Sequence, residues 1–139
     1  MRKLLMVMVV ALMAAIGFAA PAQAAPVSMP YGFAYGNSTA TGTINFSDGY
    51  TASVSGVVHA ASGRRQVCAT GFNGDVVSDP PVLCSPWAYA GGQNPSWGGP
   101  LQIARPGGVL EVYILMYDEN DTRLAGVVCT RRGCSRLQI

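Results

Sequence analysis

The stretch Val109-Leu110-Glu111-Val112-Tyr113-Ile114-Leu115-Met116-Tyr117 alternates along its length, with Leu110, Val112, Ile114 and Met116 on one side and Glu111, Tyr113 and Tyr117 on the other. A period of two residues is the signature of a β-strand with two distinct faces. Asp118-Glu119-Asn120-Asp121 follows as a polar turn, since Asp and Asn bond their own backbone and favour reversals. Arg123 to Thr130 then reads as the return strand of a hairpin.

Upstream the same pattern recurs. Thr39 to Phe46 places Ile44 and Phe46 on one face and Thr41, Thr43 and Asn45 on the other. Ser47-Asp48-Gly49 is a turn, and Tyr50 to Ala60 alternates again, with Tyr50, Ala52, Val54 and Val58 inward and Thr51, Ser53, Ser55, Val57 and His59 outward. Ala61-Ser62-Gly63 leads into a strand from Arg65 to Phe72, which ends at the turn Asn73-Gly74-Asp75. Between Asp79 and Pro106, prolines and glycines break the pattern, leaving short strands near Val82–Tyr89 and Leu101–Ala104. After the leader no window carries the i, i+3, i+4, i+7 spacing of an amphipathic helix. The expected fold is an all-β antiparallel sandwich, immunoglobulin-like or Greek-key, of about seven to nine short strands; a small closed barrel is the alternative.

The chain opens with Met1-Arg2-Lys3, an uncharged apolar run from Leu4 to Ala20, and Pro21-Ala22-Gln23-Ala24. A basic start, an apolar stretch and a small-residue A-x-A site make a secretory signal, expected to be cleaved after Ala24. Residues 1–24 are thus read as a signal peptide and 25–139 as a single exported domain, free of the membrane once cut. Removal of Arg2 and Lys3 takes away the net charge of +2 and leaves seven arginines against seven acids. A neutral domain has no electrostatic footprint for nucleic acid. Low charge (12%) and 50% hydrophobic residues also exclude a disordered chain.

The four cysteines all lie in the exported part, where an oxidising compartment turns an even count into disulfides. Cys129 and Cys134 enclose four residues including Gly133, which relieves a tight loop, so they are paired, leaving Cys68 with Cys84. There is no C-x-x-C, and the one histidine, His59, lies apart in sequence, so no metal is expected.

Catalytic motifs are missing: the sequence has no H-E-x-x-H, G-x-S-x-G, P-loop or G-x-G-x-x-G. His59 on a Ser/Thr-rich strand reads as a surface residue, and neither catalytic residue nor cofactor is expected. Asp118 to Asp121 lacks the glycine and distal glutamate of a calcium loop. Three sequons, at Asn37, Asn45 and Asn120, matter only in a host that glycosylates. Binding candidates remain. Arg131 and Arg132 stand on the short disulfide loop, where rigid guanidinium groups grip carboxylates or phosphates. The irregular segment carries Trp87, Tyr89 and Trp97, and loops on a β scaffold are where binding residues concentrate. Trp87 is assigned to the core beside the Cys68–Cys84 bridge, and Trp97, between Asn94-Pro95-Ser96 and Gly98-Gly99, to the surface with Tyr89.

Two disulfides, Ser47-Asp48-Gly49, Val54-Ser55-Gly56 before the first cysteine, and Cys129-Thr130-x-x-x-Cys134 resemble the enediyne-antibiotic apoproteins, a neocarzinostatin-like family. The resemblance implies a secreted immunoglobulin-like sandwich with the second disulfide, and, in that family, a labile aromatic drug held in a cleft. It covers about a third of the chain; the first disulfide loop is longer here, the segment Trp87 to Trp97 has no counterpart, and the chain stops soon after Cys134. Only the fold and that disulfide are carried over. The sequence therefore reads as a monomeric exported binding domain for an extracellular glycan, small apolar molecule or protein. Carriage of an apolar ligand in a sandwich cleft, or hydrolase inhibition through the Cys129–Cys134 tip, are the alternatives. Intact mass of the exported protein is expected to match a chain starting at Ala25 and lighter than its reduced form by two hydrogens per bridge; a chain retaining Met1 would refute the leader.

Overall fold

The computed structural model describes residues 25–47 and 49–139; the leader 1–24 and Asp48 of the Ser47–Gly49 turn lie outside the described residues. In chain order the strands are β1 (Val27–Tyr35), β2 (Ser38–Phe46), β3 (Thr51–His59), β4 (Arg64–Asn73), β5 (Val76–Val77), β6 (Leu83–Cys84), β7 (Ala88–Tyr89), β8 (Ser96–Gln102), β9 (Glu111–Tyr117), β10 (Arg123–Thr130) and β11 (Gly133–Arg136). They form two antiparallel sheets. The first has the order β1-β2-β3-β8. The second runs β11-β10-β9-β4, with β5, β6 and β7 pairing in turn along the other edge of β4. The chain crosses between sheets from β3 to β4, from β7 to β8 and from β8 to β9, and β3 and β8 pack against β4. The strand count exceeds the expected seven to nine because β1, β5 and β11 add to the strands read from the sequence and the stretch Val82–Tyr89 divides into β6 and β7.

The alternation read from the sequence sets the faces. Ile44, Phe46, Ala52, Val54 and Val58 point inward from the first sheet, and Val67, Ala69, Val112, Ile114, Met116 and Val127 meet them from the second. Two expectations at strand ends fail. Leu110 is 45% exposed while Val109 is buried. Regular pairing begins only at Glu111, opposite Phe72, after the bend at Gly107 and Gly108, and the stretch before it is out of phase with the strand. Tyr50 precedes β3 in the turn and is exposed likewise.

One cross-strand row spans the whole inner face of the first sheet. Tyr31 pairs with Gly42, Gly42 with Gly56, and Gly56 with Trp97. The two glycines make a floor with no side chains, and the aromatic groups from the two outer strands lie across it. A Cβ at Gly56 would run into the Tyr31 hydroxyl and come 2.5 Å from the carbonyl of Thr41. Tyr31 Oη donates to Ser55 O at 3.2 Å. Burial raises the pKa of that hydroxyl well above its ordinary value, while the neighbouring Trp97 side chain acts in the opposite sense. The indole Nε1 of Trp97 lies beside the hydroxyl but outside ordinary hydrogen-bond geometry, and it has no other partner. Trp97 is only 8% exposed. Trp97 is therefore core, against its assignment to the surface, and Trp87 is half-buried rather than core. The Ser-Trp-Gly-Gly-Pro segment, read as loop, is an edge strand, because a large apolar ring gains more from burial than glycine and proline lose in β propensity.

Both disulfides form as paired in the sequence reading, Cys68 with Cys84 and Cys129 with Cys134. The first ties β6 onto β4 at directly opposed positions. It lies on the solvent side of β4, since Val67 and Ala69 take the inner positions, so it does not provide the core setting expected for Trp87. At the hairpin Asp118–Thr122, the Asp118 carboxylate accepts from Thr122 N and Asn120 N, both at 2.9 Å. These backbone bonds, that from Thr122 first, hold its pKa below the usual carboxylate range, with a further contribution from Arg65. The reading of this turn as a structural hairpin stands.

Gly56→Ala is expected to destabilise the fold by about 3 kcal/mol through overpacking against Tyr31. Gly32→Ala, whose added methyl would meet only Thr41 at 3.7 Å, should shift stability by less than about 0.5 kcal/mol. Urea unfolding followed by tryptophan fluorescence checks both; equal effects at the two positions would refute the close-packed row.

Candidate binding face

Strand β9 is apolar on both sides. Val112, Ile114 and Met116 fill the core, yet Tyr113, Leu115 and Tyr117 occupy the alternate positions and face away from the other sheet. A two-layer sandwich covers only one face of each sheet, and the free face of an antiparallel sheet is ordinarily polar. Here the free face carries a depression of about 480 Å³, lined by Thr70, Phe72 and Gly74 of the β4 strand and turn, Glu111, Tyr113, Leu115 and Tyr117 of β9, and Arg123 of β10. That volume lies within the range of small-molecule sites.

Register explains the arrangement. Thr70 stands opposite Tyr113, Phe72 opposite Glu111, Cys68 opposite Leu115, and Arg123 opposite Tyr117. The rings of Phe72 and Tyr113 meet edge-on, with centroids 5.3 Å apart and planes at 83°. Such edge-on contacts restrain both rings. The Cys68–Cys84 bridge backs the face at its middle. Sequence reading placed Glu111, Tyr113 and Tyr117 on this side of the strand without assigning them a role. The signal that could have found them is the two-sided apolarity of Val109–Tyr117, which a single covering sheet cannot satisfy.

The residues proposed from sequence are scattered. Trp97 is buried in the core and presents no surface to a ligand, a correction to its assignment as the exposed candidate. Tyr89 is 49% exposed, with the Arg64 guanidinium 5.1 Å above its ring. Arg131 and Arg132 lie at the opposite end of the second sheet, and only Arg132 is exposed. Arg131 turns inward, donating to Ala25 O at 2.8 Å and Phe46 O at 3.5 Å, with its guanidinium 5.4 Å from the Phe46 ring. Arg136 donates to Ala34 O at 3.2 Å. Arg131 and Arg136 thus fasten the β1 region to the disulfide-closed hairpin, whereas Arg132 stays exposed on its tip.

His59 Nδ1 lies 2.8 Å from Asn94 Oδ1, so its polar neighbour is an amide and not a carboxylate. No group of three or more His, Cys, Asp or Glu side chains suited to a metal occurs among the described residues. No family model, curated protein or solved structure matches the chain.

Arg131→Ala is expected to speed amide exchange in β1 at least tenfold while leaving the β9 amides protected, as measured by hydrogen exchange with NMR detection. Unchanged β1 exchange would show that this side chain does not hold the strand.

Proposed function

We propose that the protein is an exported, non-catalytic binding domain that seats a flat, largely apolar small molecule on the outer face of its second sheet. The observation that carries this reading is the depression along β9, where Phe72, Tyr113, Leu115 and Tyr117 give apolar surface at positions that the other sheet does not cover. Restrained aromatic rings suit a planar ligand, because ring faces and edges attract one another in offset and edge-on geometry. Two disulfides suit an oxidising compartment, and the signal-like start of the chain supports export. No helix among the described residues is long and apolar enough to cross a membrane.

The likeness to secreted apoproteins that carry an aromatic drug agrees with a carrier role. On this reading the ligand lies on the outside of a sheet, since the interior positions between the sheets are filled by side chains down to the Tyr31–Trp97 row. Glycan binding is the second reading, favoured by the same tyrosines, as sugar rings also stack on aromatic faces. Protein inhibition through the Cys129–Cys134 tip has less support, because Arg131 is committed to Ala25 and Phe46.

Native mass spectrometry of the protein recovered from its host's medium tests the proposal. A reproducible added mass is expected, weakened roughly tenfold or more in Tyr113→Ala and kept in Tyr35→Ala, which alters an exposed aromatic residue on the other sheet. A bare chain, whose β4 and β9 amides show no NMR shifts with aromatic or saccharide fragments, would overturn it.

A further inference from the structure

We infer that the ligand of this face is an aromatic acid, a planar apolar body bearing one anionic group that sits at Arg123; this rests on the binding-face reading above. Charge along the depression is segregated. Glu111 stands at one end and Arg123 at the other, opposite Tyr117. Six residue steps of β9 separate Glu111 from Tyr117, about 20 Å at the rise of an extended strand. Between them the strand presents only Tyr113 and Leu115 to this face.

Partner state and position together single out Arg123: Arg132 is also without a side-chain partner among the described residues, but it stands on the Cys129–Cys134 tip and does not line the depression. Arg65 faces Glu119 at 3.9 Å and Arg105 faces Asp75 at 3.4 Å. Arg131 and Arg136 donate to main-chain carbonyls of the β1 region. Arg64 stacks on Tyr89. Arg123 has neither carboxylate nor carbonyl partner among the described residues, and it lines the depression at its Tyr117 end. Its planar fork matches a carboxylate or sulfonate bidentately. Glu111 repels the same group at the far end. The two charges therefore favour one orientation, with the acid at Tyr117 and the apolar body extending towards Tyr113 and Phe72.

Two dyes with one ring system separate the charge from the apolar surface: 8-anilinonaphthalene-1-sulfonate, which is anionic, and N-phenyl-1-naphthylamine, which lacks the sulfonate. Fluorescence titration of the intact exported protein is expected to show the sulfonate bound more tightly by roughly three- to tenfold, the range of a partly exposed charge-assisted pair. Arg123→Gln should bring the sulfonate down to the level of the neutral dye and leave the neutral dye unchanged. Tyr113→Ala should weaken both. About 1 M salt should abolish the preference, since screening then acts within about 3 Å. If both dyes bind equally and Arg123→Gln alters neither, the acid preference is wrong while the apolar face stands. If neither binds, the binding face itself is wrong. A dimer in sedimentation analysis that Arg123→Glu dissociates would assign the face to a second copy of the chain, pairing Arg123 with Glu111 of the other copy, and would overturn the proposal.

Discussion

The Tyr31–Gly42–Gly56–Trp97 row organises the first sheet. Two tall side chains from its outer strands must lie flat to fit beneath the opposing sheet, and they can do so only where the inner strands carry no Cβ. Both glycines fall at the one level where Tyr31 and Trp97 face each other across the sheet. Removing either glycine would lift an aromatic ring into a core whose other positions are filled, and interiors packed to crystal density yield little. The row also accounts for β8. With Gly98, Gly99 and Pro100 in a strand of seven residues, β8 has poor local propensity, and Trp97 and Leu101 are its anchors to the core.

That anchoring decides where the remaining segment goes. With Trp97 inside and β8 paired to β3, the chain from Val76 to Tyr89 is left to run along the edge of β4. It is held there by short pairings and the Cys68–Cys84 bridge. Leu83 reaches across to cover Gly99, linking β6 to β8 and closing the side of the sandwich. Trp87 and Tyr89 are consequently at the periphery. At the far edge of the second sheet a different device operates: the Cys129–Cys134 hairpin presents Arg131 and Arg136 to main-chain carbonyls of Ala25 and Ala34, fastening β1 where no ladder joins it to the second sheet.

The same geometry leaves the outer face of β4 and β9 uncovered. The first sheet is engaged on the inner side, the edge segment runs alongside β4, and among the described residues no strand pairs or packs over Tyr113 and Leu115. A strand with apolar residues on both sides leaves one of them only half-buried in a two-layer fold, as Tyr113, Leu115 and Tyr117 are here. Such exposure is retained where it serves a contact, because it otherwise raises the cost of staying soluble. Arg123 and Glu111, without ion-pair partners among the described residues, give this apolar strip a direction, and on the proposed reading that polarity is what would let it discriminate among ligands.

Local period and turn chemistry made much of the fold legible. The inward sets of β2, β3 and β9, the hairpin at Asp118 and both disulfide pairings follow from alternation and spacing, because a side-chain period of two and a short cysteine loop are properties of neighbouring residues. Leu110 and Tyr50 escaped this reading, as each precedes a strand whose phase is set by pairing with a distant partner. The tryptophans escaped it for a stronger reason. Nothing near Trp97 in sequence distinguishes a core ring from a surface one; its burial depends on glycines about 40 and 55 positions upstream that come beside it only when β2, β3 and β8 are assembled. The binding face has the same origin. The residues of β9 announce two apolar sides, but which side is covered, and which is left on the outside, was decided by the packing of the second sheet against the first.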